Sequence, residues 1–201
     1  PGDSLEISID PAKNEDPLKF ISGKTTASEY LYELRSLKRS HQAFNEALRQ
    51  ANIDTFKVSL NEAEKIISDK LNNISDKLSK KFVKLEKDRI NYLIKNQKLT
   101  YYSYYEYITG DVIPDSLSFT DFIDENDLIN EAALELEDYR KYLKNAWSFK
   151  YVNPDDEKSY SETAKSLLKK VRKEINNKLV ARSLYYDIFS EYTRYNGFEE
   201  L

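Results

Sequence analysis

The sequence predicts an all-α fold, an irregular antiparallel bundle of about five to seven helices that follows a short N-terminal β-hairpin. Three observations predict it. Only 4 Gly and 5 Pro occur in 201 residues, so turns are few and the elements between them are long. Apolar residues recur every three or four positions through most of the chain, which is the period of a helix. Only the first residues alternate apolar with polar side chains, as a half-buried strand does.

The N-terminal segment, residues 1–23, is predicted to be the β-hairpin and the remnant of a preceding β domain. Residues 4–9 alternate with period two, residues 18–21 resemble a second short strand, and the loop 10–17 between them contains two prolines. An isolated hairpin is marginally stable in water. We therefore expect either that the helices cover it or that it is the edge of a larger sheet.

Residues 24–201 are predicted to form the helical domain. Its first amphipathic helix is expected over residues 27–51. The region 60–108 is either one very long helix or two helices, because residues 72–73 and Ser79 are the weak points of its pattern. Three pairs match the Ser/Thr-x-x-Glu capping box that marks helix starts: Thr26 with Glu29, Ser59 with Glu62, and Ser159 with Glu162.

The composition excludes several kinds of chemistry. With no Cys, the chain has no disulfide, no thiolate zinc site and no thiol redox chemistry of its own. Its single histidine, His41, cannot supply a His-rich metal site, and it is expected to pack on the apolar stripe of its helix. The acidic residues 121–127 lack the glycine that an EF-hand loop needs at its sixth position. We expect no catalytic, cofactor-binding or metal-binding residue in this chain.

Charge is unevenly distributed along a chain whose net charge is -4. Residues 111–138 contain ten acidic residues and no basic one, whereas residues 165–182 contain seven basic residues and one acidic. Packing these two segments side by side would cancel both fields. Nucleic acid is not an expected partner, because such proteins carry a dominant positive face and a basic total. No apolar run approaches the length that spans a bilayer, so no transmembrane segment is expected.

The most distinctive local feature is a run of five tyrosines: Tyr101, Tyr102, Tyr104, Tyr105 and Tyr107. On one helix these side chains occupy most of the circumference, so some of them face away from the core. Tyrosines are common anchors at protein interfaces, and the run is a candidate contact surface. The alternative is that several helices surround this one and bury most of the rings. We expect Tyr102 and Tyr105 to be an exposed pair whose replacement by Ser abolishes partner capture.

Several stretches together resemble one known family. The opening residues 1–10 and 18–23 resemble the end of a small β domain. Residues 82–92 resemble the long helix that follows, and residues 139–143 and 179–197 resemble later helices. The family is the TlpA-like thioredoxin-fold thiol-disulfide oxidoreductases of the cell envelope in Bacteroides-type bacteria. Its members consist of a β domain, a helical domain and a thioredoxin domain with a Cys-x-x-Cys motif.

The resemblance implies a non-catalytic helical domain of an exported thiol-disulfide oxidoreductase, acting as a spacer, a partner-binding module or a dimerisation module. It implies a periplasmic or cell-envelope location, with a lipid anchor on the whole protein as one option. The Cys-x-x-Cys pair would lie beyond Leu201, so the resemblance assigns no catalytic role to any residue here. Two alternatives stay open: a self-contained helical interaction domain that uses the tyrosine-rich surface, and an enzyme, for which no motif gives support.

Overall fold

The computed structural model describes residues 6–12, 18–22, 25–40, 48–50, 52–111, 123–151 and 159–197. Within these ranges a two-stranded antiparallel hairpin precedes six α-helices, which confirms the predicted fold class. The elements are β1 (Glu6–Ile9), β2 (Leu18–Ser22), α1 (Thr26–Ser40), α2 (Ile53–Asn72), α3 (Lys80–Thr109), α4 (Glu137–Tyr151), α5 (Tyr160–Glu174) and α6 (Lys178–Asn196). Short 3-10 helices lie at Ser75–Lys77, Asp127–Ile129 and Glu131–Ala133.

The chain divides into two compact units, residues 1–87 and residues 88–201. The division falls inside α3, so this helix contributes its first turns to one unit and the rest of its length to the other. The domain boundary expected between residues 23 and 24 lies outside the described residues and stays a prediction.

The hairpin has the predicted strands and little cover. Ile7 pairs with Phe20 and Ile9 pairs with Leu18, so these four side chains lie on one face. On that face the ring of Phe20 meets the ring of Tyr32 in α1 edge to face, with 6.0 Å between their centroids. Ile7 and Ile9 nevertheless remain 45% and 62% exposed. The contact through Phe20 therefore joins the hairpin to α1, whereas the side chains of β1 remain exposed.

The first unit is organised around the apolar stripe of α2. Five of its side chains, spaced three or four residues apart, are almost completely buried: Phe56, Leu60, Ala63, Ile67 and Leu71. Each large side chain in such a stripe contributes roughly 1.5–3 kcal/mol when it leaves water. Lys70 of α2 also forms an ion pair with Glu33 of α1. The described core of the first unit therefore includes this stripe, and the ion pair links α2 to α1.

The boundaries of α1 and α2 differ in part from the predicted ones. In the described residues the first helix ends at Ser40 rather than near residue 51, and His41 lies outside them. The helix α2 begins after Asn52, whose side chain accepts hydrogen bonds from the next turn, with an Oδ1–N distance of 2.9 Å to Asp54. Ser59 is therefore inside α2, and the capping box predicted for Ser59 and Glu62 is wrong.

The region 60–108 contains two helices rather than one, which confirms the second of the two predicted alternatives. The helix α2 ends at Asn72 and a 3-10 turn follows at Ser75–Lys77. The Oγ of Ser79 then accepts a hydrogen bond from the backbone N of Phe82 at 3.2 Å, at the start of α3. The 30 residues of α3 end at Thr109, and Gly110 follows with a φ of 75°, which favours glycine.

The second unit is a bundle in which α4, α5 and α6 pack on one another. Its core is rich in aromatic side chains, and Tyr139, Tyr142, Trp147 and Tyr192 are each at most 2% exposed. The capping box predicted for Ser159 and Glu162 is present, with both reciprocal hydrogen bonds formed. Asn177 caps α6 after the three-residue break 175–177 between α5 and α6.

Candidate functional site

The tyrosine run predicted as a contact surface occupies the last turns of α3. The structure divides it into two sets. Tyr101, Tyr102 and Tyr105 are 0%, 8% and 7% exposed, whereas Tyr104 and Tyr107 are 57% and 89% exposed. The exposed pair is therefore Tyr104 and Tyr107. The expectation that Tyr102 and Tyr105 are exposed is wrong, because both lie on the buried side of the helix.

The buried set is held by ring contacts. Tyr101 meets Tyr102 and Tyr105 edge to face, with centroids 5.7 Å and 5.8 Å apart. Burial raises the pKa of Tyr101 to about 12, and it also raises the pKa of Tyr102. Replacing Tyr102 and Tyr105 would thus remove core packing and would not report on a surface.

A second cluster, which the sequence did not indicate, surrounds the carboxylate of Asp127. This residue opens the 3-10 turn Asp127–Ile129, and its neighbours come from two helices. Tyr92 of α3 and Tyr142 of α4 donate their hydroxyls to it over 3.2 Å and 3.3 Å. Lys95, one turn along α3 from Tyr92, forms an ion pair with it. We call Asp127, Tyr92, Lys95, Tyr142 and their neighbours Asn130 and Tyr139 the Asp127 cluster.

The rest of the Asp127 cluster fixes the turn that carries the carboxylate. Tyr139 donates its hydroxyl to the backbone carbonyl of Asp127 at 2.8 Å, and Asn130 donates its side-chain amide to the Tyr92 hydroxyl at 2.8 Å. Tyr92 packs against Tyr139 and Tyr142, with ring centroids 4.7 Å and 5.4 Å apart. The cluster therefore joins α3, the 3-10 turn and α4 through both polar and aromatic contacts.

Burial also determines the protonation of the tyrosine hydroxyls in the Asp127 cluster. Loss of water raises the pKa of Tyr92 to about 12, and the nearby negative charge of Asp127 acts in the same direction. The pKa values of Tyr139 and Tyr142 are raised further, again mainly by burial. Hydroxyls with such pKa values stay protonated near neutral pH and act as hydrogen-bond donors. The arrangement suits a structural latch rather than proton transfer, which needs a pKa near the working pH.

A cavity of about 230 Å³ lies between α4, α5 and α6. Ala164, Leu167 and Ile188 give it an apolar lining, and the ion pair of Lys144 with Glu191, 2.7 Å between Nζ and Oε2, lies at its side. Its volume is below the range of about 300–1,000 Å³ that is typical of small-molecule sites.

Metal ligation and membrane spanning can be checked over the same described ranges. There, no group of three or more His, Cys, Asp or Glu side chains is placed to hold a metal ion. Among the helices in these ranges, none is long and apolar enough to cross a membrane.

Comparisons with known proteins assign no family to this chain. No family model, no curated protein and no solved structure matches this chain.

Proposed function

We propose that this chain is a non-catalytic helical module that binds a protein partner through the exposed end of α3. The observation that carries the proposal is the exposure of Tyr104 and Tyr107, 57% and 89%, beside three tyrosines of the same helix that are buried. These two side chains are three residues apart, so they project from the same side of the helix. Large rigid aromatic side chains that protrude from a surface are typical anchors of protein interfaces.

The chemistry of the partner follows from these side chains. A tyrosine buries a broad apolar ring and keeps its hydroxyl for a hydrogen bond, so it fits an apolar groove with a polar rim. The buried rings of Tyr101 and Tyr105 hold this end of α3 in place, which reduces the entropy lost when a partner binds. A rigid helix end that presents two tyrosines therefore supports partner binding or self-association better than a passive spacer.

The double replacement Tyr104→Ser with Tyr107→Ser tests this surface. Each lost anchor costs about 2 kcal/mol of binding free energy, so we expect partner affinity to fall by more than ~100-fold with the helical circular dichroism unchanged. The measurement is capture of cell-envelope proteins by the immobilised chain, together with sedimentation equilibrium for self-association. Tyr186→Ser is the matched control, because Tyr186 is 71% exposed on a different helix. Equal capture by the double variant and the wild type would reject the proposal.

We further propose that the module belongs to an exported thiol-disulfide oxidoreductase, in the cell envelope or the periplasm. The support is the resemblance of residues 1–10, 18–23, 82–92, 139–143 and 179–197 to TlpA-like proteins. Sequencing the gene downstream of Leu201 tests it: a strand followed by Cys-x-x-Cys is expected within one domain's length. A stop codon directly after Leu201 would refute the parent assignment and leave the interaction module intact.

A further inference from the structure

A basic face on α5 and the start of α6 has no counterpart elsewhere in the described part of the second unit. Lys165, Lys169 and Arg172 follow one another at spacings of four and three, so they lie along one side of α5. Lys178 and Arg182 add two more cations in the first turns of α6. The side chains of all five are exposed. We call these five residues the α5–α6 basic face.

These five cations lack acidic partners among the described residues. The other basic side chains of the same segment are engaged: Lys173 lies 3.6 Å from Glu174, and Lys170 lies over the ring of Tyr151. Among the described residues of the acidic segment 111–138, no carboxylate forms an ion pair with these five cations, and Glu131 instead accepts a hydrogen bond from Asn177 at 2.9 Å, beside Lys178. The segment's described carboxylates at Glu125 and Asp127 pair with Lys150 and Lys95, which lie outside residues 165–182. The α5–α6 basic face is therefore a positively charged surface, although the net charge of the chain is -4.

Large apolar side chains protrude from α6 among these cations. Leu179 is 50% exposed, Tyr186 is 71% exposed and Phe189 is 42% exposed. Arg182 lies between Leu179 and Tyr186, three residues from one and four from the other, so charge and apolar surface share one side of the helix. The opposite side of α6 is buried in the bundle through Val180, Leu184 and other residues.

We propose that the α5–α6 basic face docks this protein peripherally on a bilayer surface that contains anionic phospholipid. Clusters of four to eight Lys or Arg side chains are typical of binding to anionic headgroups. Protruding leucine and aromatic side chains among them insert at the boundary of headgroups and acyl chains. A bilayer needs no shaped groove, and it accepts cations spread along roughly 10 Å of one helix and onto the next. A nucleic-acid site would be accompanied by a basic total charge, which this chain lacks.

Co-sedimentation with vesicles tests the proposal. The wild-type chain is expected to bind vesicles of phosphatidylcholine and phosphatidylglycerol, and not vesicles of phosphatidylcholine alone. The triple variant Lys165→Glu, Lys169→Glu, Arg172→Glu is expected to bind at least ~100-fold more weakly, since each cation contributes roughly a factor of five. The matched control is Lys80→Glu, Lys81→Glu, Lys84→Glu, which makes the same charge change at exposed positions of α3 and is expected to bind at least ~10-fold more tightly than the first triple variant.

The apolar part of the face has its own readout. Trp147, the single tryptophan, is 2% exposed, so a Tyr186→Trp variant adds one indole at the proposed membrane contact. Brominated phosphatidylglycerol is expected to quench the added emission. The variant Tyr104→Ser with Tyr107→Ser is expected to bind vesicles as the wild type does, which separates this proposal from the interaction surface of α3.

Four outcomes would overturn the membrane proposal. The first is that the wild-type chain ignores anionic vesicles. The second is that both triple variants lose binding equally, which would assign the effect to net charge alone. The third is unquenched emission from Tyr186→Trp in the presence of bound vesicles. The fourth is that poly-glutamate or single-stranded DNA binds the α5–α6 basic face more tightly than the vesicles do, which would assign it to a polyanionic macromolecule.

Discussion

Replacing Asp127 with Ala is expected to lower the free energy of unfolding of the second unit by about 3 kcal/mol. The carboxylate is the shared acceptor for Lys95, Tyr92 and Tyr142, and its side chain is only 14% exposed. Its removal leaves a cation at 21% exposure and two buried hydroxyls without this acceptor. The cost is large because groups that have lost their water regain no partner. Urea denaturation, followed by circular dichroism, measures it.

Glu125→Ala is the matched control for that experiment. Glu125 lies two residues before Asp127 and also forms an ion pair with a lysine, Lys150. Its side chain, however, is 76% exposed, and ion pairs in water contribute only about 0–1 kcal/mol. Asp127→Asn, which keeps an acceptor oxygen but not the charge, should fall between the two. If Asp127→Ala and Glu125→Ala cost the same, the Asp127 cluster does not hold α3, the turn and α4 together.

Local patterns in the sequence predicted that most of the chain is helical, and they predicted some of the helix ends. The 3.6-residue period marks a buried stripe whatever the helix packs against. The Ser159–Glu162 capping box and the Asn177 cap consist of hydrogen bonds between residues that are two or three positions apart. The capping box predicted at Ser59 was wrong because it was inferred from four neighbouring residues, and Ser-x-x-Glu also occurs inside helices. The helix α2 begins instead after Asn52, seven residues earlier, whose side chain accepts two hydrogen bonds from the first turn.

The buried tyrosines of α3 could be predicted in part from the sequence. Steps of three, four and seven residues from Ile90 and Ile94 lead to Tyr101 and Tyr105, which continue the buried stripe. The same spacing also leads from Ile90 to Tyr104 by two steps of seven, yet Tyr104 is 57% exposed. Extending the stripe would therefore have identified Tyr101 and Tyr105 as buried, but not Tyr104 and Tyr107 as the exposed pair.

Local patterns in the sequence could not predict the Asp127 cluster. Its hydrogen bonds join Asp127 to residues 35, 32 and 15 positions away, so they depend on how α3 and α4 meet the intervening turn. Along the sequence Asp127 is one carboxylate among ten in the acidic segment 111–138, and nothing local distinguishes it from the others. The only local trace is the i, i+3 spacing of Tyr92 with Lys95 and of Tyr139 with Tyr142.

Alkaline pH is expected to destabilise the protein through its buried tyrosines. The pKa values of Tyr92 and Tyr101 rise from 10.0 to about 12 on folding, chiefly through burial. Below pH 10 both states hold these protons, so the full stability is present. Between pH 10 and about 12 the unfolded chain releases protons that the folded chain keeps, and stability falls by about 1.4 kcal/mol per pH unit for each such tyrosine.

The variant Tyr101→Phe isolates one proton of that effect. It keeps the buried ring and removes the ionisable hydroxyl, so urea denaturation between pH 10 and 12 should show a pH slope shallower by about 1.4 kcal/mol per unit. All other ionisable groups are common to the two proteins, so their contribution cancels in the comparison. Tyr104→Phe serves as the exposed control, at 57% exposure against 0% for Tyr101. If Tyr101→Phe leaves the slope unchanged, or if Tyr104→Phe reduces it as much, burial of Tyr101 is not the source of the alkaline instability.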